Sequence, residues 1–205
     1  MSRTNHRDAL LAAAKELIRT RGYGHITARD LVAASNTNLA SIGYHFGSKD
    51  ALLNEAIGAA LEEWTAAIGR VTRAQRGASP MQRLTGSWRA VLDEADKIRP
   101  YLLAFLEALA QSARSPELAE QLATHYRKQR ERVAGFIADD FGGALDDRAA
   151  RDLATLMIGL SDGLMIQSFA DPEQTPSATR LAAALSAAGG QLAAGQPPSA
   201  RKRRR

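Results

Sequence analysis

The sequence predicts an all-α fold in two parts: a three-helix head over residues 1–50 and a larger helical body over residues 51–194, followed by a basic tail over 195–205. Three observations carry this reading. The composition is rich in Ala, Leu and Arg and sparing of β-branched residues, which favours helix over sheet. Apolar residues recur at steps of three and four. Residues that start and stop helices punctuate the chain between those runs.

The first helix places Leu10, Leu11, Ala14, Leu17 and Ile18 on one face, and Gly22 ends it, since glycine readily takes the left-handed conformation. Thr27 then offers a hydroxyl as N-cap, with Asp30 at the third helical position in a variant of the capping box. This opens a short helix from Ala28 to about Ala34. Ser35-Asn36-Thr37 follow, three residues that compete with helix by bonding their own backbone. Asn38 can cap a second short helix, Leu39 to about Phe46, so the pair reads as a helix-turn-helix. After Gly47, Ser48 caps a long helix from Lys49 to about Arg70, whose inner face includes Leu52, Leu53, Ala56, Ile57 and Trp64.

The segment Gln75–Pro80 is the expected joint between head and body. Five body helices are expected, at roughly Met81–Lys97, Pro100–Ala113, Pro116–Asp140, Asp147–Ala170 and Ser177–Ala194. Pro100 and Pro116 are assigned to first turns, where a missing N–H leaves no bond unmade. Gly142-Gly143 and Asp171-Pro172 read as breaks, and the Gly-, Pro- and Arg-rich end is expected to be disordered.

Charge is divided unevenly. The chain carries 27 Lys and Arg against 22 Asp and Glu, a net of +5. The tail Arg201-Lys202-Arg203-Arg204-Arg205 supplies as many positives as the whole excess. Residues 1–50 then stand at +3 and residues 51–200 at −3. A basic head on a mildly acidic body suits contact with a polyanion. There is no cysteine, which excludes disulfides and thiolate metal sites and fits a reducing compartment. With no leader and no long apolar run read from the sequence, the expected setting is the cytoplasm, with no membrane partner.

The stretch from Thr27 to Leu53, TARDLVAASNTNLASIGYHFGSKDALL, closely resembles the N-terminal domain of the TetR family of transcription regulators. The matching pieces are Arg21-Gly22-Tyr23, the Thr27 cap, Asp30-Leu31 and the run Tyr44 to Leu52. The resemblance is strong over residues 8–55 and beyond that is one of length and helical layout. It implies an all-helical homodimer on a palindromic double-stranded DNA operator, usually as a repressor. It implies that Thr27 and Lys49 meet phosphates, and that the third helix enters the major groove with Asn38, Leu39, Ala40, Ser41 and Tyr44 toward DNA, flanked by Thr37 and His45. The sequence departs from the family at Gly43, where members usually carry an aromatic residue; neighbouring Tyr44 is the substitute at hand.

These roles are chemically sensible. Helix N-termini present free N–H groups and partial positive charge to phosphate, and Asn can bond adenine through two hydrogen bonds. Plainer readings stand beside them: Asn38 and Ser48 as caps alone, Lys49 as a solvated charge, Tyr44, His45 and Phe46 as closers of a small core.

In the body no catalytic motif, metal-ligand spacing or cofactor fingerprint is found, so neither an enzyme nor a cofactor is expected. Trp64, Trp88, Tyr101, Phe105, Met157, Asp162, Met165 and Gln167 are the candidate lining of a pocket for an unknown small-molecule effector, with plain core as the alternative. Asp162 stands out in an apolar helix, and equally suits a cap or a bond across a dimer interface. Leu153, Leu156, Leu160 and Leu164, with Leu181, Leu185, Ala188 and Leu192, are the candidate dimerisation seam, or else fill an intrachain core. The resemblance favours the dimer. The tail has two readings, phosphate attraction or a solubilising end.

Overall fold

Most of the helices begin where a side-chain oxygen replaces a missing backbone partner. Thr27, Asn38, Ser48, Ser79, Ser115, Asp146 and Ser177 each accept a hydrogen bond from the backbone N–H three residues on, satisfying a donor that the helix itself leaves open. The computed structural model describes residues 3–75, 77–142 and 144–194, and among them nine α-helices and no strand. They are α1 (Arg3–Arg21), α2 (Ala28–Ser35), α3 (Leu39–Phe46), α4 (Lys49–Ala74), α5 (Pro80–Asp93), α6 (Ala95–Ser112), α7 (Pro116–Phe141), α8 (Asp147–Ala170) and α9 (Ala178–Ala193). The basic tail, Arg76 of the joint and Gly143 lie outside the described residues.

The head is α1 to α3 closed by the start of α4. Gly22 leaves α1 at φ 77°, as a helix stop requires, and a short turn over Tyr23–His25 leads into α2. Asn36 takes the left-handed conformation at the α2–α3 turn (φ 51°), which Asn tolerates better than most residues. Leu10, Ile18, Leu31, Leu52 and Leu53 are fully buried together. Each such side chain contributes roughly 1.5–3 kcal/mol on transfer from water, so a small domain can close on these few. The expected boundary at residue 50 falls in the first turn of α4, whose Leu52, Leu53, Ala56 and Ile57 complete the head core.

The same apolar cluster continues into the body through Leu61, Ile98, Leu102, Phe105, Leu118 and Met165. Head and body therefore share a core rather than meeting across a wet seam. Two smaller clusters finish the body: Ala134, Ile137, Ala150 and Ala154 between α7 and α8, and Trp88 with Ala178 and Ala182 between α5 and α9.

One break differs from expectation. The α5–α6 turn falls at Glu94, and Pro100 sits inside α6 rather than in its first turn. Proline removes one N–H bond there, but Ile98, Leu102 and Phe105 recur at helical steps across it and are all buried, so packing outweighs the missing bond.

Helix α8 is long and apolar enough, by length and composition, to cross a membrane. Its Ala150, Ala154, Ile158 and Met165 face the protein interior, while Leu156 (55% exposed), Leu160 and Ile166 face outward.

The capping box at Thr27 has a pH signature. Bonds from the Thr27 hydroxyl and N–H, with Arg21 beside them, hold the Asp30 carboxyl at about 2. A carboxyl lowered on folding stabilises fully above its unfolded pKa, about 3.9, and loses that contribution as pH falls through its folded value. Urea midpoints followed by circular dichroism at pH 7, 4 and 2 should accordingly fall further between pH 4 and 2 in the wild type than in Asp30→Ala. Equal losses in the two proteins would remove Asp30 from the acid response.

Candidate nucleic-acid interface and body cavity

The helix-turn-helix is held by local polar bonds that set its outer surface. Thr27 Oγ1 accepts from Asp30 N at 3.2 Å, and Thr27 N donates to Asp30 Oδ2 at 2.9 Å. Arg21 Nη1 donates to Asp30 Oδ1 at 2.7 Å, tying the end of α1 to the first turn of α2. In the turn, Ser35 Oγ donates to Leu31 O at 2.7 Å and lies 2.8 Å from Thr37 Oγ1. Asn38 Oδ1 accepts from Ser41 N at 3.0 Å and from Ser41 Oγ at 3.2 Å.

These bonds sort the residues that the sequence nominated for DNA. Asn38, Leu39 (54% exposed), Ala40 and Tyr44 (66% exposed) lie on the open flank of α3, beside exposed Gly43. A Leu and a Tyr left open on one short helix mark a contact surface. His45 is half-buried with its ring 4.8 Å from Tyr44, edge to face. Thr27 is exposed at the start of α2.

Two nominated residues need correcting. Ser41 is only 8% exposed, and its hydroxyl donates to Asn38 Oδ1. Thr37 is half-buried against Ser35 and serves the turn. Lys49 is partly tied: Nζ donates to Ile26 O at 3.2 Å and lies 3.1 Å from Asp50 Oδ1. That places its ammonium beside the segment leading into α2. Phe46, read as core from the sequence, is half-buried against the head with the Arg7 guanidinium over its ring.

The body holds a cavity of about 280 Å³ among α4, α5, α7, α8 and α9. From α4 come Trp64, Thr65, Ile68, Gly69 and Thr72; Trp88 and Val91 stand on α5, Phe136 and Gln129 on α7, Met157 and Asp162 on α8. Gly69 allows the Phe136 ring to lie against α4, since a Cβ there would meet that ring at 2.4 Å. Arg73 stacks over the same ring at 4.6 Å. A second, very small void adjoins, sharing Trp64, Gln129 and Asp162 with the first.

Of the eight nominated pocket residues, Trp64, Trp88, Met157 and Asp162 line the cavity, and Phe105 and Met165 line only the small void. Tyr101 and Gln167 are corrections. Tyr101 lies on α6 toward the head, where its hydroxyl donates to Lys15 O at 3.3 Å, and Gln167 is exposed. Their mere proximity in sequence to apolar residues could not tell which flank of the helix each occupies. The sequence reading missed Ile68, Thr72, Val133 and Phe136, which carry no chemistry distinguishable from plain core.

The nominated seam also divides. Leu156, Leu160, Leu185, Ala188 and Leu192 (82% exposed) are open on α8 and α9, and Leu164 is half-buried. Leu153 instead faces the cavity and the α7–α8 cluster, and Leu181 packs beside Trp88.

The polar end of the cavity is a buried pair. Tyr126 OH donates to Asp162 Oδ2 at 3.0 Å. Burial pushes the Asp162 carboxyl above its usual range, and the tyrosine bond works against that rise. Burial, and then the Asp162 charge, push the Tyr126 hydroxyl up. Burial lowers neighbouring His125, with Glu62 opposing. Trp64 Nε1 is buried without a hydrogen-bond acceptor among the described residues.

Polar links join the body to the head. Tyr23 OH donates to Asn54 Oδ1 at 3.2 Å, and Asn54 Nδ2 donates to Gln121 Oε1 on α7 at 3.1 Å. Burial, then the charges of Asp50 and Glu107, push the Tyr23 hydroxyl up to about 12. Among the described residues, no group of three or more His, Cys, Asp or Glu is placed to hold a metal ion.

With this geometry in place, comparison with known proteins is specific at both ends. The family described as bacterial regulatory proteins, tetR family, matches residues 10–56, and the family described as BetI-type transcriptional repressor, C-terminal, matches residues 80–193. The HTH-type transcriptional regulator BetI of Burkholderia thailandensis is 26% identical over 178 residues, 86% of this chain and 89% of that protein. That of Paraburkholderia xenovorans matches to the same extent. Among solved structures, a TetR-family regulator from a Rhodococcus species superposes with a TM-score of 0.65 at 22% identity, over 90% of this chain and 98% of its own. A transcriptional regulator from Saccharomonospora viridis in complex with choline superposes with a TM-score of 0.61 at 25% identity, over 88% and 93%.

Proposed function

The chain belongs to the tetR family of bacterial regulatory proteins and is a transcriptional regulator rather than an enzyme; from that premise we propose that it is a dimeric repressor which reads a palindromic operator with α3 and leaves it when a small molecule fills the body cavity. The observation that carries this reading is the span of α4: one helix closes the head core at its start and walls the cavity at its end. Anything that moves the cavity wall tilts the head.

In the DNA-bound state, Asn38, Leu39, Ala40 and Tyr44 read base edges and sugar–phosphate in the major groove. The N-terminus of α2, with Thr27 and nearby Lys49, receives a phosphate. Free helix N–H groups and partial positive charge favour an anion there, and the lysine ammonium beside Ile26 adds to it. The outward leucines of α8 and α9 pack against the same helices of a second copy. Their exposure supports this, because apolar surface of that kind is costly in water. The dimer sets the two α3 helices about 34 Å apart, one duplex turn. The protein acts in the cytoplasm, where its operator is.

Release follows from linkage. A ligand that prefers a cavity shape incompatible with that spacing weakens operator binding by the same factor by which operator weakens ligand binding. The α7 helix supplies a second route beside α4, since it carries cavity residues Gln129 and Phe136 and reaches the head through Gln121, Asn54 and Tyr23. Choline in the Saccharomonospora viridis protein is consistent with a body of this fold taking a small organic molecule.

Two measurements test this. Selection from a random duplex pool should enrich an inverted repeat, and Tyr44→Ala should weaken binding to it by roughly 10- to 100-fold, the ~1–3 kcal/mol of a good base contact; enrichment of no repeat would contradict the operator reading. Sedimentation equilibrium should find a dimer that Leu156→Arg with Leu160→Arg converts to monomer, and a wild-type monomer at tens of micromolar would contradict the interface.

A further inference from the structure

The cavity has a chemical polarity that nothing in the family match assigns. Its deep end, next to the small void, holds Asp162, Gln129 and the Trp64 indole. Its mouth is marked by Met81, Phe141 and Leu185, the cavity residues among the exposed large hydrophobics. Aliphatic and aromatic side chains make up most of the remaining wall, with the hydroxyls of Thr65, Thr72, Ser87 and Ser161 among them, and Asp162 is the one ionisable group among the described lining residues. Taking the proposed regulator reading as its premise, we infer that the ligand is an amphipathic cation: a single ammonium or quaternary ammonium group seated against Asp162, on an apolar body that runs out toward Leu185.

Charge decides the class. An anionic ligand would meet a carboxylate with no Lys or Arg among the described residues of the wall to compensate, and an uncompensated charge in an apolar site is strongly disfavoured. A neutral apolar ligand would bury the carboxylate with the Tyr126 hydroxyl as its one hydrogen-bond partner among the described residues. A cation supplies the counter-charge. It also shares the cavity with Trp64 and Trp88, aromatic rings of the kind that attract cations through the ring quadrupole. The Tyr126 hydrogen bond fixes the carboxylate in advance, so it need not be ordered by the ligand.

Shape decides the rest. At about 280 Å³ the cavity approaches the lower end of the range that holds drug-sized molecules, roughly 300–1,000 Å³. A compact ammonium at Asp162 would leave the aliphatic wall from Ile68 to Leu185 unfilled. Each methylene placed against that wall adds about 0.8 kcal/mol of transfer free energy, so affinity climbs with chain length until the cavity is full.

Both tryptophans of the chain, Trp64 and Trp88, line this cavity, so tryptophan emission reports its occupancy directly. The test titrates the full-length protein with decyltrimethylammonium, 1-decanol, decanoate and choline, all below micelle formation, with calorimetry for stoichiometry. Expected are one decyltrimethylammonium per chain, bound at least tenfold tighter than decanol, decanoate or choline. Asp162→Asn should lower the affinity for the cation at least tenfold and leave decanol within about threefold, and the retained decanol binding shows that the variant is folded. Decanol or decanoate binding as tightly as the cation, or an Asp162→Asn variant that keeps the cation, would overturn the ligand class while leaving the cavity as a ligand site. Choline binding as tightly as the long-chain cation would overturn the extended apolar body. No binding by any of the four would overturn the ligand class and the ligand-site reading together.

Discussion

The structure depends on α4 remaining one helix. Over 26 residues, at about 1.5 Å per residue, it spans roughly 39 Å. Its first turns bury Leu52, Leu53, Ala56 and Ile57 in the head, and its last turns set Trp64, Ile68 and Gly69 against the cavity. A helix transmits displacement because its hydrogen bonds couple each turn to the next, and close-packed side chains cannot absorb a shift by small compressions. A break anywhere between Ile57 and Trp64 would cut the direct link and leave the α7 route through Gln121, Asn54 and Tyr23.

Around that rod the head is rigid for a local reason. Its α2 and α3, eight residues each, are too short to be stable alone, and their starts are secured by caps, Thr27 with Asp30 and Asn38 with Ser41, as Ser48 with Ala51 secures the start of α4. The helix start that the Thr27 cap holds is also the place of the proposed phosphate contact. The body is looser in chemistry. Its cavity survives because Gly69 lets Phe136 approach α4 while Thr65 and Thr72 return their hydroxyls to the Leu61 and Ile68 carbonyls, leaving the wall largely apolar.

What the sequence disclosed follows from how local each signal is. Helix starts at Thr27, Asn38, Ser48 and Asp146 depend on interactions within three residues, and the predicted starts of those helices agree with the structure. The all-α class and the family were legible for the same reason, through periodicity and a compact motif. The α5–α6 break was not, because Pro100 is a local stop signal overruled by the long-range burial of Ile98 and Leu102. Facing was the harder problem. Ser41 and Leu153 lie on helices whose positions were anticipated, yet which flank turns inward depends on partners distant in sequence, as Leu153 shows by packing on the α7–α8 cluster. The cavity was half legible: Trp64, Trp88 and Asp162 stand out as residue types, while Ile68, Val133 and Phe136 look like core until the space between them is seen.

The central claim is that the head and the cavity are mechanically continuous through α4, and amide hydrogen exchange along that helix tests it most directly. Exchange would be followed with and without a short duplex that the protein itself selects. The account predicts that DNA bound at α3 changes protection at Trp64 to Thr72, on the cavity wall, as well as at residues 27–56. Changes confined to the head, with the end of α4 exchanging as in the free protein, would contradict it.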